Sequence, residues 1–451
     1  MRNSENAFSA NNIARIDTAK ELSDQVASYR TGLLMLVICN PITAVKTSGI
    51  TFPAIDATIR SLANNSLEPM YLKLRITLIS LVILLCGIST ASAQNTPIPQ
   101  PPIIGAKSFL LIDGNTGAEL ASLKADERLA PASLTKLMSA YAIFRTLDEG
   151  QIALDEMVNV SEKAWRTQGS RMFIEVGSSV SVEDLLLGMI VQSGNDASVA
   201  LAEHTAGTEA VFAQLMNQYA AQIGMTASNF KNATGLPDDD HYSTARDMAT
   251  LARAIINEFP QYYEWYSVKE FEYNDIKQPN RNSLLWRDPS VDGMKTGHTD
   301  DAGYCLVSSA KRDDMRIISV VLGTSSSKSR TDGSAALLNY GFRFFETRLL
   351  YKAGETIAEA RIWKAEKELT PLGLPEDLYV TIPRGSFDNV ESMLNIPATL
   401  LAPVAQGQPL AELQVSLNGD QLINMPLRAL EENPDGSFWQ RTRDGVTLWF
   451  E

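Results

Sequence analysis

The sequence predicts a two-domain α/β protein: an α/β sandwich whose first and last strands share one sheet, followed by a small all-β domain. Short strand-like runs stand at 108–123 and again at 304–322, on either side of a middle, 181–257, that carries helical apolar stripes. Beyond Tyr351 the helical period gives way to short alternating runs divided by turn residues. With 451 residues, 45% of them hydrophobic, the chain can bury one large and one small core.

Taken in order, residues 1–69 form a polar preface whose one apolar run, Leu33–Cys39, is far too short to span a bilayer. From Met70 the pattern changes. Lys73 and Arg75 precede an apolar stretch, Ile76–Ile88, and Ala91-Ser92-Ala93 offers a small-x-small cleavage site before Gln94, so 70–93 reads as a secretory signal peptide. An export signal works at an N-terminus, so the expected translation start is Met70 and 1–69 is expected to be an extension foreign to the native chain.

A proline-rich extended leader occupies 94–106. The first domain is expected over 107–351. It opens with two strands, Ser108–Ile112 and Glu119–Leu123, around the turn Asp113–Gly117. A helix is expected from Ser133 to about Leu147, because Leu134, Leu137, Met138, Tyr141 and Phe144 follow its period. Runs at Tyr304–Ser309 and Met315–Leu322, joined by Lys311–Asp314, make a hairpin.

The second domain is expected over 352–436, with strands at Leu378–Ile382, Ala411–Leu417 and Gln421–Leu427. The last two flank Asn418-Gly419, a tight-hairpin signal. In the tail, 437–451, Phe438, Trp439, Val446, Trp449 and Phe450 fall on one side of a helical wheel and Arg441 and Asp444 on the other. That suits an amphipathic helix in a membrane interface, where Trp is favoured. A final strand or frayed end is the competing reading.

The net charge of -14, with no Lys/Arg block, excludes steering toward nucleic acid phosphates. Cys39 and Cys86 precede the cleavage site, so Cys305 is left without a disulfide partner, an inert thiol in an apolar strand. His204, His241 and His298 are scattered, and neither a metal nor an organic cofactor is expected.

Ser133-Leu134-Thr135-Lys136 puts a hydroxyl and an amine one helical turn apart, close enough to share a proton. Ser228–Lys231, Ser308–Lys311 and Ser325–Lys328 have the same spacing, so context must separate Ser133 from them. At the first turn of a buried helix its own N–H can help hold an oxyanion, beside the positive helix end. Lys136 can serve as base only if burial or a second cation, for which Lys295 is the candidate, keeps it neutral near pH 7. Ser193-Gly194-Asn195 supplies a hydroxyl and an amide between helices, although Ser-x-Asn recurs at Ser4, Ser9 and Ser416. Lys295-Thr296-Gly297 occurs once, just before an expected strand, with Gly297 leaving room for a substrate backbone bound by strand addition.

The ordered set Pro131–Lys136, Ser193–Asp196, Ser243–Met248 and Asp292–Thr299 resembles the penicillin-binding proteins and serine β-lactamases. More closely it resembles the low-molecular-mass, serine-type D-alanyl-D-alanine carboxypeptidases, over about 107–346, and the β-rich remainder resembles that family's second domain. The resemblance implies a penicillin-binding α/β sandwich, a periplasmic setting and removal of the terminal D-alanine from peptidoglycan stem peptides. It makes Ser133 the acyl-ester nucleophile, Lys136 its proton acceptor and Ser193 the group that protonates the leaving D-alanine. Asn195 would hold the substrate amide, and Lys295 and Thr296 the terminal carboxylate. The N–H groups of Ser133 and His298 would form the oxyanion hole, with Arg281 and Arg330 giving electrostatic support. β-Lactam antibiotics would acylate the same serine.

Three rivals are a D,D-endopeptidase with the same machinery, a β-lactamase and a non-catalytic wall scaffold. Glu391–Asn395 carries the letters of the deacylating β-lactamase segment but lies after Lys295, so its match is read as chance.

Overall fold

The structure, a computed structural model, describes residues 98–450. The expected export signal and the preface before it fall outside them. Two strands open the sandwich, β1 (Ser108–Asp113) and β2 (Glu119–Leu123). The turn between them forms because Asp113 Oδ1 accepts the N–H groups of Asn115 and Thr116.

A 3₁₀ turn, Ala132–Leu134, then runs into α1 (Thr135–Asp148), so Ser133 sits in the turn that precedes the α-helix and not in the helix itself. The apolar stripe of α1 is buried along its whole length. The helical middle comprises α2 (Glu162–Arg166), α3 (Val182–Leu187), α4 (Asn195–Ala206), α5 (Glu209–Gln222) and α6 (Ala245–Glu258). Ser161, Ser181, Thr208 and Thr244 each accept an N–H of the first turn they precede, which is why α2, α3, α5 and α6 start where they do. After α3 the chain makes a π turn, Gly188–Gln192, that stops at Ser193 in the left-handed region, φ 70°.

Three strands return to the sheet: β3 (Val291–Thr299), β4 (Gly303–Arg312) and β5 (Met315–Thr324). The order is β2-β1-β5-β4-β3, antiparallel throughout, so the first and last strands of the sandwich do share one sheet and β3 forms its edge. Lys295-Thr296-Gly297 therefore lies inside its own edge strand and not ahead of one. One face of the sheet packs on the helical middle through Val307, Ile318 and Val320, and α7 (Ser327–Phe344) covers the other through Leu337 and Leu338.

The strand after α7, β6 (Phe345–Tyr351), falls before the boundary expected at Tyr351, yet its partner lies beyond it. The remaining strands are β7 (Ala358–Trp363), β8 (Leu369–Gly373), β9 (Leu378–Pro383), β10 (Val390–Asn395), β11 (Leu400–Leu401), β12 (Pro409–Leu417) and β13 (Asp420–Ala429). β6 pairs with β9, and the others form a six-stranded sheet, β10-β12-β13-β8-β7-β11. Asn418 and Gly419 both have positive φ, which a two-residue turn between twisted strands requires.

The tail forms α8 (Phe438–Thr447), started by a capping box between Ser437 and Gln440. The Asp444 carboxylate accepts the N–H of Lys364, fixing one side of α8 to the β domain. Phe438, Trp439, Val446, Trp449 and Phe450 stay exposed. No helix among the described residues is long and apolar enough to cross a membrane.

Asp113 ties the first sheet to the β6–β9 pair. Its carboxylate is fully buried, and Oδ2 accepts the Thr347 hydroxyl at 2.6 Å while Oδ1 holds the β1–β2 turn. Asp113→Ala removes the acceptor of one buried and several part-buried donors at once, so urea denaturation of the variant is expected to show a loss of about 2–4 kcal/mol. A midpoint and slope equal to wild type would contradict this role.

Candidate active site

Ser133 is held in place by a turn that no free peptide would favour. Ala132, just before it, is buried with φ 47°, a conformation costly for a residue with a Cβ. Two glycines press against that turn. A Cβ on Gly235 would lie 1.8 Å from the Ala132 carbonyl oxygen, and one on Gly297 would lie 2.9 Å from that of Pro131. The room left by Gly297 thus admits the turn that carries Ser133, where a substrate backbone had been expected to need it. Gly235, in Ala-Thr-Gly-Leu-Pro, was not singled out from sequence, although its φ of +81° is the kind that glycine signals.

Ser133 is half-buried, and the Lys136 amine donates to its Oγ at 3.0 Å. That amine also donates to Asn195 Oδ1 and to the Thr234 carbonyl, each at 2.7 Å. Lys136 is fully buried. Burial pulls its pKa from the ordinary 10.5 down to about 7; the Asp196 carboxylate opposes the shift and the Arg281 guanidinium adds to it. Burial thus does most of what a second cation had been invoked for.

Lys295 is buried as well and, among the described residues, makes only a long contact, 3.4 Å, to the Thr296 carbonyl. Its own pKa is pushed well below the usual range by burial first, then by Lys136, Arg281 and Arg330. Neither lysine lines the pocket.

The pocket above them has a volume of about 580 Å³. Ser133, Ser193, Asn195, Arg281, Thr296, Gly297, His298 and Arg330, all expected from sequence, line it. Ser193 Oγ is buried and makes no hydrogen bond among the described residues, a cost of about 1–3 kcal/mol that suits a group kept for a substrate. Asn195 spends its amide on Lys136 and, through Nδ2, on the Gln168 carbonyl at 2.6 Å. It holds the Lys136 amine in place, whereas it had been expected to hold the substrate. Arg281 donates from Nε to the Gln192 carbonyl, and Arg330 from Nη1 to that of Gly297. The exposed His298 ring stacks on Tyr304, 3.9 Å between centroids.

Sequence reasoning missed the Thr234 carbonyl, Tyr304 and the work of Asp196. The Asp196 carboxylate accepts the N–H groups of Met172 and Phe173 at 2.9 Å, tying the loop that carries Gly169 and Ser170 to the start of α4. No local pattern flags a backbone carbonyl. Asp196, beside Asn195, could have been weighed as an anion at a helix start.

A hydroxyl against an amine that is half neutral near pH 7 can be deprotonated as it attacks a carbonyl carbon. Two guanidinium groups, Arg281 and Arg330, line the pocket, and the Asp196 carboxylate is already committed to amide donors. Such a site suits an anionic ligand.

Residues 95–326 match the family model described as D-alanyl-D-alanine carboxypeptidase, and residues 345–434 match the model of the penicillin-binding protein 5 C-terminal domain. Among curated relatives, the D-alanyl-D-alanine carboxypeptidase DacC of Escherichia coli (strain K12) is 43% identical over 359 residues, covering 78% of this chain and 90% of its own. DacA of the same organism is 40% identical over 375 residues, covering 80% and 93%. The crystal structure of penicillin binding protein 5 from Haemophilus influenzae superposes with a TM-score of 0.72 at 42% identity, covering 75% of this chain and all of that one. The fold is accordingly a penicillin-binding α/β sandwich followed by an all-β domain, and the chain belongs to the family of serine-type D-alanyl-D-alanine carboxypeptidases.

Proposed function

We propose that Ser133 is the nucleophile through which this carboxypeptidase removes the terminal D-alanine of peptidoglycan pentapeptide stems. The observation that carries the reading is the 3.0 Å contact between Ser133 Oγ and a fully buried lysine amine. Neutral Lys136 accepts the hydroxyl proton as Oγ bonds to the carbonyl carbon of the penultimate D-alanine. The oxyanion faces the N–H groups of Ser133 and His298. The C–N bond then breaks, and the Ser193 hydroxyl relays the proton from Lys136 to the leaving nitrogen, leaving an ester on Ser133. Water gives a proton to Lys136 and attacks that ester; the proton returns to Ser133 Oγ as the shortened peptide departs. One water is consumed for each D-alanine freed.

Thr296 and Arg330, with Arg281 across the pocket and Lys295 beneath it, receive the terminal carboxylate. Its arrival also favours the charged form of Lys295, which burial disfavours. Asn195 and the Thr234 carbonyl hold the amine on Ser133 through the cycle. β-Lactams acylate the same hydroxyl. We further propose that the protein is exported through 70–93 and acts in the periplasm, resting on the outer face of the cytoplasmic membrane through the aromatic side of α8.

Ser133→Ala is expected to lower D-alanine release from a pentapeptide stem by roughly 10³-fold or more and to abolish labelling by fluorescent penicillin. Release or labelling near wild type would remove Ser133 from the reaction. Because a protonated amine cannot accept the hydroxyl proton, kcat/KM is expected to climb with pH and level off above about 7, standing ~100-fold lower at pH 5. A profile flat from pH 5 to 8 would contradict a lysine base. For the tail, the full chain is expected to sediment with anionic phospholipid vesicles and a chain ending at Gly436 to stay in solution; equal sedimentation of the two would rule out α8 as the contact.

A further inference from the structure

The pocket that Ser133 lines has two unlike sets of walls. Gly169, Ser170 and Asn195 come from the loop after α2 and from α4, and the others include residues of β3, β4 and α7. On β3 alternate residues share a face. Thr296 pairs across to Leu306 and His298 to Tyr304, so these four stand on the face that α7 covers, while Lys295, opposite Val307, stands on the face toward Lys136.

Tyr304, on β4, is pinned. The Arg330 guanidinium lies over its ring, 5.5 Å from the centroid, and the His298 imidazole stacks on it at 3.9 Å. Its carbonyl accepts the Thr324 hydroxyl at 2.9 Å, and Arg330 is itself fixed on the Gly297 carbonyl. A ring held by a cation and an imidazole cannot swing aside to admit a larger group.

We infer that Tyr304 is a specificity-determining residue, its clamped ring walling the leaving-group end of the pocket so that a small terminal residue with a free carboxylate is accepted and a bulkier one refused. The inference rests on the proposed seating of the carboxylate at Thr296 and Arg330. A carboxylate there brings the side chain of the terminal residue against the Tyr304–His298 stack. A methyl group fits against that wall, and a branched side chain collides with it. The ring does this work, not the hydroxyl, which makes no hydrogen bond among the described residues.

The test compares two pentapeptide stems, one ending in D-Ala-D-Ala and one in D-Ala-D-Leu, with the full-length chain and release of the terminal amino acid as readout. Wild type is expected to favour D-alanine in kcat/KM. Tyr304→Ala is expected to move that ratio toward D-leucine by roughly tenfold or more, and Tyr304→Phe to leave it within about twofold. Fluorescent penicillin uptake reports that the variant is folded with a competent Ser133; should Tyr304→Ala lose it, Tyr304→Val is read by the same ratio. An unchanged ratio in the small variant, or a shift in Tyr304→Phe as large as in Tyr304→Ala, overturns the inference. Failure of the proposed function looks different: wild type then frees no D-alanine, or Ser133→Ala frees it as fast.

Discussion

The structure turns on one amine buried beneath the pocket. Lys136 is fully buried, and its three hydrogen bonds run to Ser133, Asn195 and the Thr234 carbonyl. None of these partners is an anion, so nothing in direct contact compensates a full positive charge there. The neutral form is favoured by the same packing that aims the amine at the hydroxyl, and the proposed activation of Ser133 would follow from burial more than from any partner. The apolar stripe of α1, with Leu137, Met138 and Tyr141 inaccessible, is what keeps that end of the helix in the core.

Around the amine the chain accepts local strain. Ala132 adopts a left-handed turn, Ser193 does the same at the end of a π turn, and the Ser193 hydroxyl is buried without a partner among the described residues. Such costs persist where neighbouring packing overrides local preference, and they cluster where chemistry needs an unusual direction of approach. Gly235 and Gly297 show how this is managed, since each lets backbone come closer to the strained turn than any side chain would permit. The excess of positive charge is the electrostatic counterpart of the strain. Lys295 and Arg330 are buried and Arg281 is exposed, and the two guanidinium groups push the Lys295 pKa down, a repulsion that the proposed substrate carboxylate would relieve.

Periodicity and turn chemistry made much of the fold legible. The β1–β2 turn, the stripe of α1 and the Asn418-Gly419 hairpin are local features, set by residues close in sequence. The edge position of β3 was legible only in part. Lys295-Thr296-Gly297 reads as the approach to a strand because its glycine and polar residues depress strand character, yet pairing with β4 carries the strand through it. The pairing of β6 with β9 is likewise a long-range choice that nothing in Phe345–Tyr351 announces. At the site, residue types and order identified the groups that line the pocket, but not who holds whom. Asn195 faces Lys136 only because α4 and α1 pack side by side, and the Thr234 carbonyl enters from a loop with no side-chain signature. Tyr304 is seen only once β3 and β4 are in register.

The claim most exposed to direct measurement is the ionisation of Lys136 in the folded protein. Carbon-13 NMR titration of chain labelled at the lysine ε-carbons, with the resonance assigned by its loss in Lys136→Arg, reads that pKa without reference to turnover. The account predicts a midpoint near 7. A Lys136 resonance that titrates close to the ordinary 10.5 would show the amine charged at neutral pH and would contradict activation of Ser133 by burial.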